Sequence, residues 1–380
     1  MGHLKQEFLN IFTNIYVILV VFGGLLLYAV LYPQPYLNKL PLQQSVVVVD
    51  LDHTPASRRL IRYADATPQV QITDQVDSVS EARELLLVGQ ARGMMIIPRY
   101  FERDLALSRS PVVGLAGDAN FFLIYSTVIE GLATVVMTTG AVARVAELLV
   151  VGVPLKFAVK DWSPMHLNER PLFNVGMGYI GYVIPAVFVL ILQQTLLLAS
   201  CLVGAESKTK PGISLASAGA VLGARFLAMF IVYFIFAQFY MGICFEYYEI
   251  SRNAGVFDLY LMIVAFLAAS VALGILLGLL LPGSEWAPPV VMVSSLPMAF
   301  TAGFIWPIEL LPEPILWISQ WFPSTHAIQG LLKLNQNGAD FSQLLGHWWS
   351  LWALAVFFFS ISLVVMTRAN SVPEKLVSEM

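Results

Sequence analysis

The sequence predicts an α-helical membrane protein: six crossings grouped one plus five, an α/β domain inserted after the first, and a re-entrant segment between the last two. Three observations carry that expectation. Of 380 residues, 58% are hydrophobic and 12% charged, where a soluble domain carries about a quarter charged. Six stretches approach the ~20 apolar residues that a helix needs to cross a bilayer. A long region with the alternating pattern of a globular domain separates the first stretch from the rest.

The first stretch covers residues 11–31 and has no small-x-small cleavage site after it, which predicts a retained helix rather than a cleaved signal. Gly2 is not followed by Ser or Thr at the sixth position, so no myristoylation is expected. The other stretches are residues 175–203, 226–245, 259–281, 287–304 and 344–366. The fifth is the shortest and contains Pro288, Pro289 and Pro297. The resulting divisions are 1–32 for the N-terminus and first crossing, 33–172 for the inserted domain, and 173–380 for the five-helix core.

Orientation follows from the basic residues of short flanks. Six crossings put Lys5, Lys208, Lys210, Arg225, Arg368 and Lys375 on one side, so both termini are expected in the cytoplasm. The opposite short loops hold Glu246, Glu249, Asp258, Glu309 and Glu313, with Arg252 as their one base. The inserted domain then lies outside.

Within that domain, residues 45–50 form a β-branched run. Thr54-Pro55 reads as an N-cap followed by the first position of a helix. Residues 70–73 read as a strand, 80–88 as a capped helix ended by Gly89, and 92–98 as a buried strand. Pro98 is expected to open a helix through Leu107, residues 112–117 make a further strand, and 121–150 a long helix. A rival reading makes part of 121–150 a membrane span. Its Thr and Gly content, Glu130 and the orientation count oppose that.

Several chemistries are excluded. Gly204-Ala-Glu-Ser-Lys208 lacks the second glycine and the Lys-Ser/Thr pair of a phosphate-cradling loop, so the chain itself hydrolyses no nucleotide. Gly-x-Ser-x-Gly is absent, and His3, His53, His166, His326 and His347 show no metal-ligand spacing. No catalytic residue, metal or bound cofactor is expected. Net charge is −4 and no basic cluster occurs, which leaves nothing for nucleic acid. Cys201 and Cys244 lie in apolar runs, and no structural disulfide is predicted. Asp50 and Asp52 could hold a cation, but acids leaving a strand more often make Asx turns. Ion-coupled carriers need acids or broken-helix carbonyls near the midplane, and the stretches here carry almost no ionisable residues. They carry amides instead: Gln193, Gln194 and Gln238, read either as interhelical hydrogen bonds or as a polar spot on a path.

The last third is the most telling. Residues 299–307 end in a small-residue step, Ala302-Gly303, followed by Trp306 and Pro307. Pro312 and Pro314 come next, then Pro323-Ser-Thr325-His326 before the final stretch. Trp348, Trp349 and Trp352 fit an interfacial belt, but a belt does not explain so much proline around Trp306, Trp317 and Trp321. Broken backbone at membrane depth is tolerated only where protein or a cavity satisfies it, so residues 303–330 are expected to shape a conduit.

These features resemble the permease subunit of ABC-2 type exporters. The small-Gly break, Pro307, Pro312 and the Pro323-x-Thr325-His326 step stand in the family's order and at similar spacing, and Gly223-Ala-Arg225 resembles its Gly-Lys before the third span. One departure stands out: where the family carries an Arg-Glu-x-x-x-Gly-Thr-like segment, this chain has Glu206-Ser-Lys-Thr-Lys-Pro-Gly212. The resemblance implies a multi-pass protein of a bacterial inner membrane, in contact with lipid. It implies a homodimer or heterodimer with a related permease, and a separate cytosolic ATPase that supplies ATP and Mg. Larger members also imply a periplasmic adaptor. It further implies that the loop 205–225, with Glu206, Lys208, Lys210 and Arg225, couples to that ATPase. Gln193, Gln194, Gly303, Trp306, Pro307, Pro312, Pro323, Thr325 and His326 are expected at the pathway or its gate, for a drug-like or lipid-like cargo. The rival class is a membrane scaffold or receptor whose outer domain binds a partner.

Overall fold

The computed structural model describes residues 2–37, 41–162, 178–205 and 214–368. The chain divides into two compact units, Met1–Leu37 with Pro171–Met380, and Asn38–Arg170.

The first unit begins with helix α1 (Gly2–Thr13). The predicted continuous stretch 11–31 is broken at Asn14, which leaves the helical region at ψ 110°. Its side chain accepts from the backbone N–H groups of Tyr16 and Val17, starting a new helix. That helix, α2 (Ile15–Tyr36), contains a π-type turn at Leu19–Gly24.

The second unit is an α/β fold. Strand β1 (Gln44–Asp50) leads to α3 (Pro55–Asp65), where Thr54 and Ser57 form a reciprocal capping box. Strand β2 (Val70–Val76) is followed by α4 (Val79–Leu87) and β3 (Gly93–Ile97). Next come α5 (Phe101–Ala106), β4 (Gly114–Gly117), α6 (Phe122–Val150) and α7 (Leu155–Trp162). The sheet order is β2-β1-β3-β4, with β1 parallel to both neighbours and β4 antiparallel to β3. Central β1 is covered on both faces, Val46 and Val48 in one cluster and Val47 and Val49 in the other. That explains its unbroken valine run where a half-exposed strand would alternate.

Two expectations in this unit are corrected. The cap of α4 is Ser78, whose hydroxyl accepts from the Glu81 N–H, rather than a start at Ser80. Pro98 does not open α5. The chain first turns through Tyr100 at φ 67°, and the helix starts where the Asp52 carboxylate accepts from the Glu102 N–H at 3.0 Å. The two acids at the end of β1 and just beyond it are structural. Asp50 accepts from the N–H groups of Asp52 and His53 and from the Ser57 hydroxyl at 2.7 Å, and Asp52 from the Thr54 hydroxyl at 2.6 Å.

Burial opposes the charge on Asp52. Hydrogen bonds from Thr54 and from the backbone of Glu102, Tyr100 and Phe101 outweigh it and hold the carboxyl below its ordinary 3.8. Since the folded value is the lower one, the contribution is present above 3.8 and is lost as pH falls through the folded value. Amide protection at residues 101–106, taken as the intrinsic exchange rate relative to the observed rate at each pH, is therefore expected to fall on acidification below about pH 4. Asp52→Asn should abolish that pH dependence.

Helix α6 satisfies the length and composition of a membrane span. Yet Thr127, Val128, Gly131, Leu132 and Val135 make one face at helical spacing, and Val128, Leu132 and Val135 sit in the sheet's core cluster. The first half of α6 therefore packs an apolar face on the sheet.

The first unit resumes with α8 (Val183–Ala205), α9 (Leu215–Tyr247) and α10 (Val256–Leu280), α11 (Ala287–Thr301), α12 (Glu313–Ser319), α13 (Pro323–Asn335) and α14 (Leu345–Arg368). Among the described residues six helices are long and apolar enough to cross a membrane: α2, α6, α8, α9, α10 and the run Phe341–Thr367 that includes α14. Five of these match predicted stretches. The predicted fifth stretch forms α11, which has 15 residues; at 1.5 Å per residue it falls well short of a ~30 Å hydrocarbon core. Residues 215–225, assigned from sequence to a loop, are the first three turns of α9, started by Ser214 as N-cap.

Helix α10 is the centre of this unit, and it meets α8 backbone to backbone. A Cβ added at Gly278 would stand 2.7 Å from the Cys201 carbonyl oxygen, and one at Gly274 2.6 Å from the Ser200 Cβ. This is small-xxx-small packing, which lets helices approach where no hydrophobic drive acts between them. Helix α9 and the residue that ends it are tied to α2 by hydroxyls: Tyr240 donates to the Leu25 carbonyl at 2.6 Å and Tyr248 to that of Ala29 at 2.9 Å.

Candidate functional site

A tyrosine-lined cavity of about 710 Å³ lies in the helical unit. Helix α2 brings Tyr28, Tyr32 and Tyr36 to it, residues four apart and hence on one helix face. The turn before α8 adds Tyr179 and Tyr182. Ring centroids lie 5.9 Å apart for Tyr32 and Tyr36, 5.8 Å for Tyr36 and Tyr179, and 6.0 Å for Tyr179 and Tyr182. Helix α8 contributes the stripe Val183, Val187, Leu190, Ile191 and Gln194; α11 contributes Ser295, Leu296 and Ala299; Phe304 and Ile305 complete the wall.

Among the described residues the lining holds no Asp, Glu, Lys, Arg or His. Its polar groups are tyrosine and Ser or Thr hydroxyls and one amide. Such a surface suits an apolar body with a few hydrogen-bonding groups and offers no charged site for a coupling ion. Gln194 donates to the Met298 sulfur at 3.2 Å, while its Oε1 is buried with no partner among the described residues. That oxygen is an unused acceptor in the cavity wall.

The predicted pathway residues separate into three groups. Gln194 lines the cavity, and Gly303 stands immediately before its wall residues Phe304 and Ile305. Gly303 has φ +83°, and any Cβ there would collide with the Gln329 side chain, whose amide donates to the Ala302 carbonyl at 2.9 Å. The α11 break is thus a conformation that favours glycine.

A second group forms a buried knot beside the cavity. Gln193 is fully buried and donates to the Met298 sulfur at 3.3 Å and the Ser324 hydroxyl at 3.2 Å. Pro323 occupies the first turn of α13; Thr325 and His326 are buried, with the Thr325 hydroxyl unpartnered. His326 Nε2 lies 3.0 Å from the Gln320 carbonyl, which can only accept, so Nε2 carries the proton. Nδ1, 3.4 Å from His347 Nδ1, is then the acceptor of that pair. A third group is peripheral to the cavity. Trp306 is exposed, Pro307 precedes the short helix Ile308–Leu310, and Pro312 caps α12.

Of the predicted coupling residues, Glu206, Lys208 and Lys210 lie outside the described residues. Arg225 is buried and makes a bidentate ion pair with Glu7 of α1, Nη2 to Oε1 at 3.0 Å and Nε to Oε2 at 3.3 Å. Among the described residues no cluster of three or more His, Cys, Asp or Glu could hold a metal. Sequence reasoning missed the tyrosines, although the i, i+4, i+8 spacing of Tyr28, Tyr32 and Tyr36 was available as a signal.

Residues 8–364 match the family model described as ABC-2 family transporter protein. No curated protein matches the chain.

Proposed function

Because the chain belongs to the ABC-2 transporter family and is a multi-pass transport component that works with an ATPase subunit, we propose that it is the permease of an exporter whose amphiphilic or hydrophobic cargo occupies the tyrosine-lined cavity. The uncharged, aromatic lining of that cavity carries the proposal. In this reading the protein sits in a bacterial inner membrane with both termini cytoplasmic and the α/β unit outside. Exposed apolar side chains such as Leu19, Ile235 and Val293 suit contact with lipid. A dimer, with itself or a related permease, works with two cytosolic ATPases that bring ATP and Mg, and the α/β unit meets a periplasmic adaptor. ATPase closure acts on residues 205–225, and movement of α8 against α11 about Gly303 opens the path past 303–330.

Affinity purification of the tagged chain from mild detergent tests the partnership. A cytosolic P-loop protein in stoichiometric amount is expected, and its absence even after crosslinking would reject the exporter. Cargo occupancy is tested by Ala299→Phe, which places a ring in the cavity. Reconstituted with its ATPase, this variant is expected to lose at least about tenfold of the stimulation of ATP hydrolysis by amphiphiles, about 1.4 kcal/mol, while still co-purifying with the ATPase. Unchanged stimulation would remove the cavity from the path.

A further inference from the structure

A separate cavity of about 430 Å³ lies wholly within the α/β unit. It exists because α6 outruns the sheet. The helix has 29 residues and is roughly 44 Å long at 1.5 Å per residue. The strands have four to seven residues and extend no more than about 24 Å. The first half of α6 covers the sheet with Val128, Leu132 and Val135. The same stripe continues as Val136, Thr139, Gly140, Ala143 and Glu147, and these line the cavity opposite α5 and residues 108–113.

The interior is apolar on one side and charged on the other. Leu60 and Phe101, both core residues, form the apolar wall. The rim carries Arg109, Arg144 and Glu147. Glu147 is already taken by Arg144 at 2.7 Å and by the Ser108 hydroxyl. Among the described residues Arg109 has only Asp104 at 3.7 Å, beyond hydrogen-bond reach, and Asp104 is shared with Arg103 at 3.1 Å. Arg103 and Arg109 thus share the Asp104 carboxylate, which leaves the Arg109 guanidinium at the rim with hydrogen-bonding capacity for an incoming anion.

Two further features mark a site rather than a packing fault. Ser126, Thr127, Thr134 and Thr138 of α6 each donate to the carbonyl four residues back. Thr139 lines the cavity, and its hydroxyl is buried with no partner among the described residues, a costly state for a polar group. At Gly140 an added Cβ would meet nothing within 4 Å. A mid-helix glycine is destabilising relative to alanine, and here it widens the hollow.

We propose that this cavity binds a small anionic amphiphile, its apolar body against Leu60 and Phe101 and its single carboxylate or sulfonate head at Arg109 and Arg144. The volume lies within the range of small-molecule sites. The proposal stands independently of the export reading, since it concerns binding to the α/β unit alone.

The test is photolabelling of the full chain in nanodiscs with a diazirine-bearing dodecanoate, mapped by mass spectrometry. Labels are expected within residues 101–113 and 136–147. Dodecanoate and dodecyl sulfonate should compete at least tenfold more effectively than dodecyltrimethylammonium. Gly140→Phe, which fills open space, should abolish these labels, and Gly140→Ala should retain them. Arg109→Gln alters a largely exposed side chain and should raise the competing dodecanoate concentration about tenfold. Labels confined to the membrane helices, labels insensitive to both Gly140→Phe and Arg109→Gln, or equal competition by the cationic amphiphile would each overturn the proposal.

Discussion

Gly303→Val is expected to reduce transport by roughly 10- to 1,600-fold while leaving the protein assembled with its ATPase. A β-branched residue held at φ +83° carries strain of about 1–3 kcal/mol. Its Cβ also displaces the Gln329 amide from the Ala302 carbonyl, removing a hydrogen bond that contributes about 0.5–1.5 kcal/mol. Together these disfavour the observed turn by about 1.5–4.5 kcal/mol, and each 1.4 kcal/mol is tenfold. Because Phe304 and Ile305 follow directly and line the tyrosine cavity, relaxation of the turn re-aims that wall. Gly303→Ala, with the same φ problem but a smaller side chain, should be intermediate. Export into inverted vesicles, measured beside co-purified ATPase, separates a gating defect from a lost complex. Normal export by Gly303→Val would remove the break from the mechanism.

Breaking the Glu7–Arg225 pair should be the most destabilising polar change in the helical unit. Both side chains are more than nine-tenths buried, and Arg225 Nη1 already has no partner. Glu7→Gln leaves a buried guanidinium without its counter-charge, a change that costs about 3–5 kcal/mol and lowers the unfolding midpoint in detergent by several degrees. The double variant Glu7→Leu with Arg225→Met should recover most of that loss, since an apolar pair of similar volume needs no desolvation. This distinguishes two roles for Arg225. A residue that only touched the ATPase would, when replaced, lose ATPase binding at unchanged stability and gain nothing from the second substitution. Destabilisation with recovery shows instead that Arg225 fastens α1 to α9.

Much of the fold was readable from local chemistry. The valine run of β1, the Thr54-Pro55 helix start and the small-Gly break at 302–303 each depend on a few neighbouring residues, and each appears where the pattern places it. The misplacements share a cause. Asn14 interrupts the first apolar stretch because its side chain captures two backbone N–H groups, a local choice that average hydropathy does not register. The α5 start depends on Asp52, fifty residues away in sequence. Arg225 looked like a loop base because it follows a basic segment; its partner Glu7 lies 218 residues earlier.

The candidate sites divide along the same line. Composition and periodicity determined that this is a multi-helix membrane protein with an inserted α/β domain and a broken late helix, because hydropathy, capping and glycine's access to positive φ are properties of short stretches. Only the tertiary structure decided that Gln194 borders a cavity while Gln193 is locked against Ser324, although both are glutamines on one helix. Adjacent helical positions point about 100° apart, so the faces that meet, and the gaps they leave, depend on how α2, α8 and α11 pack.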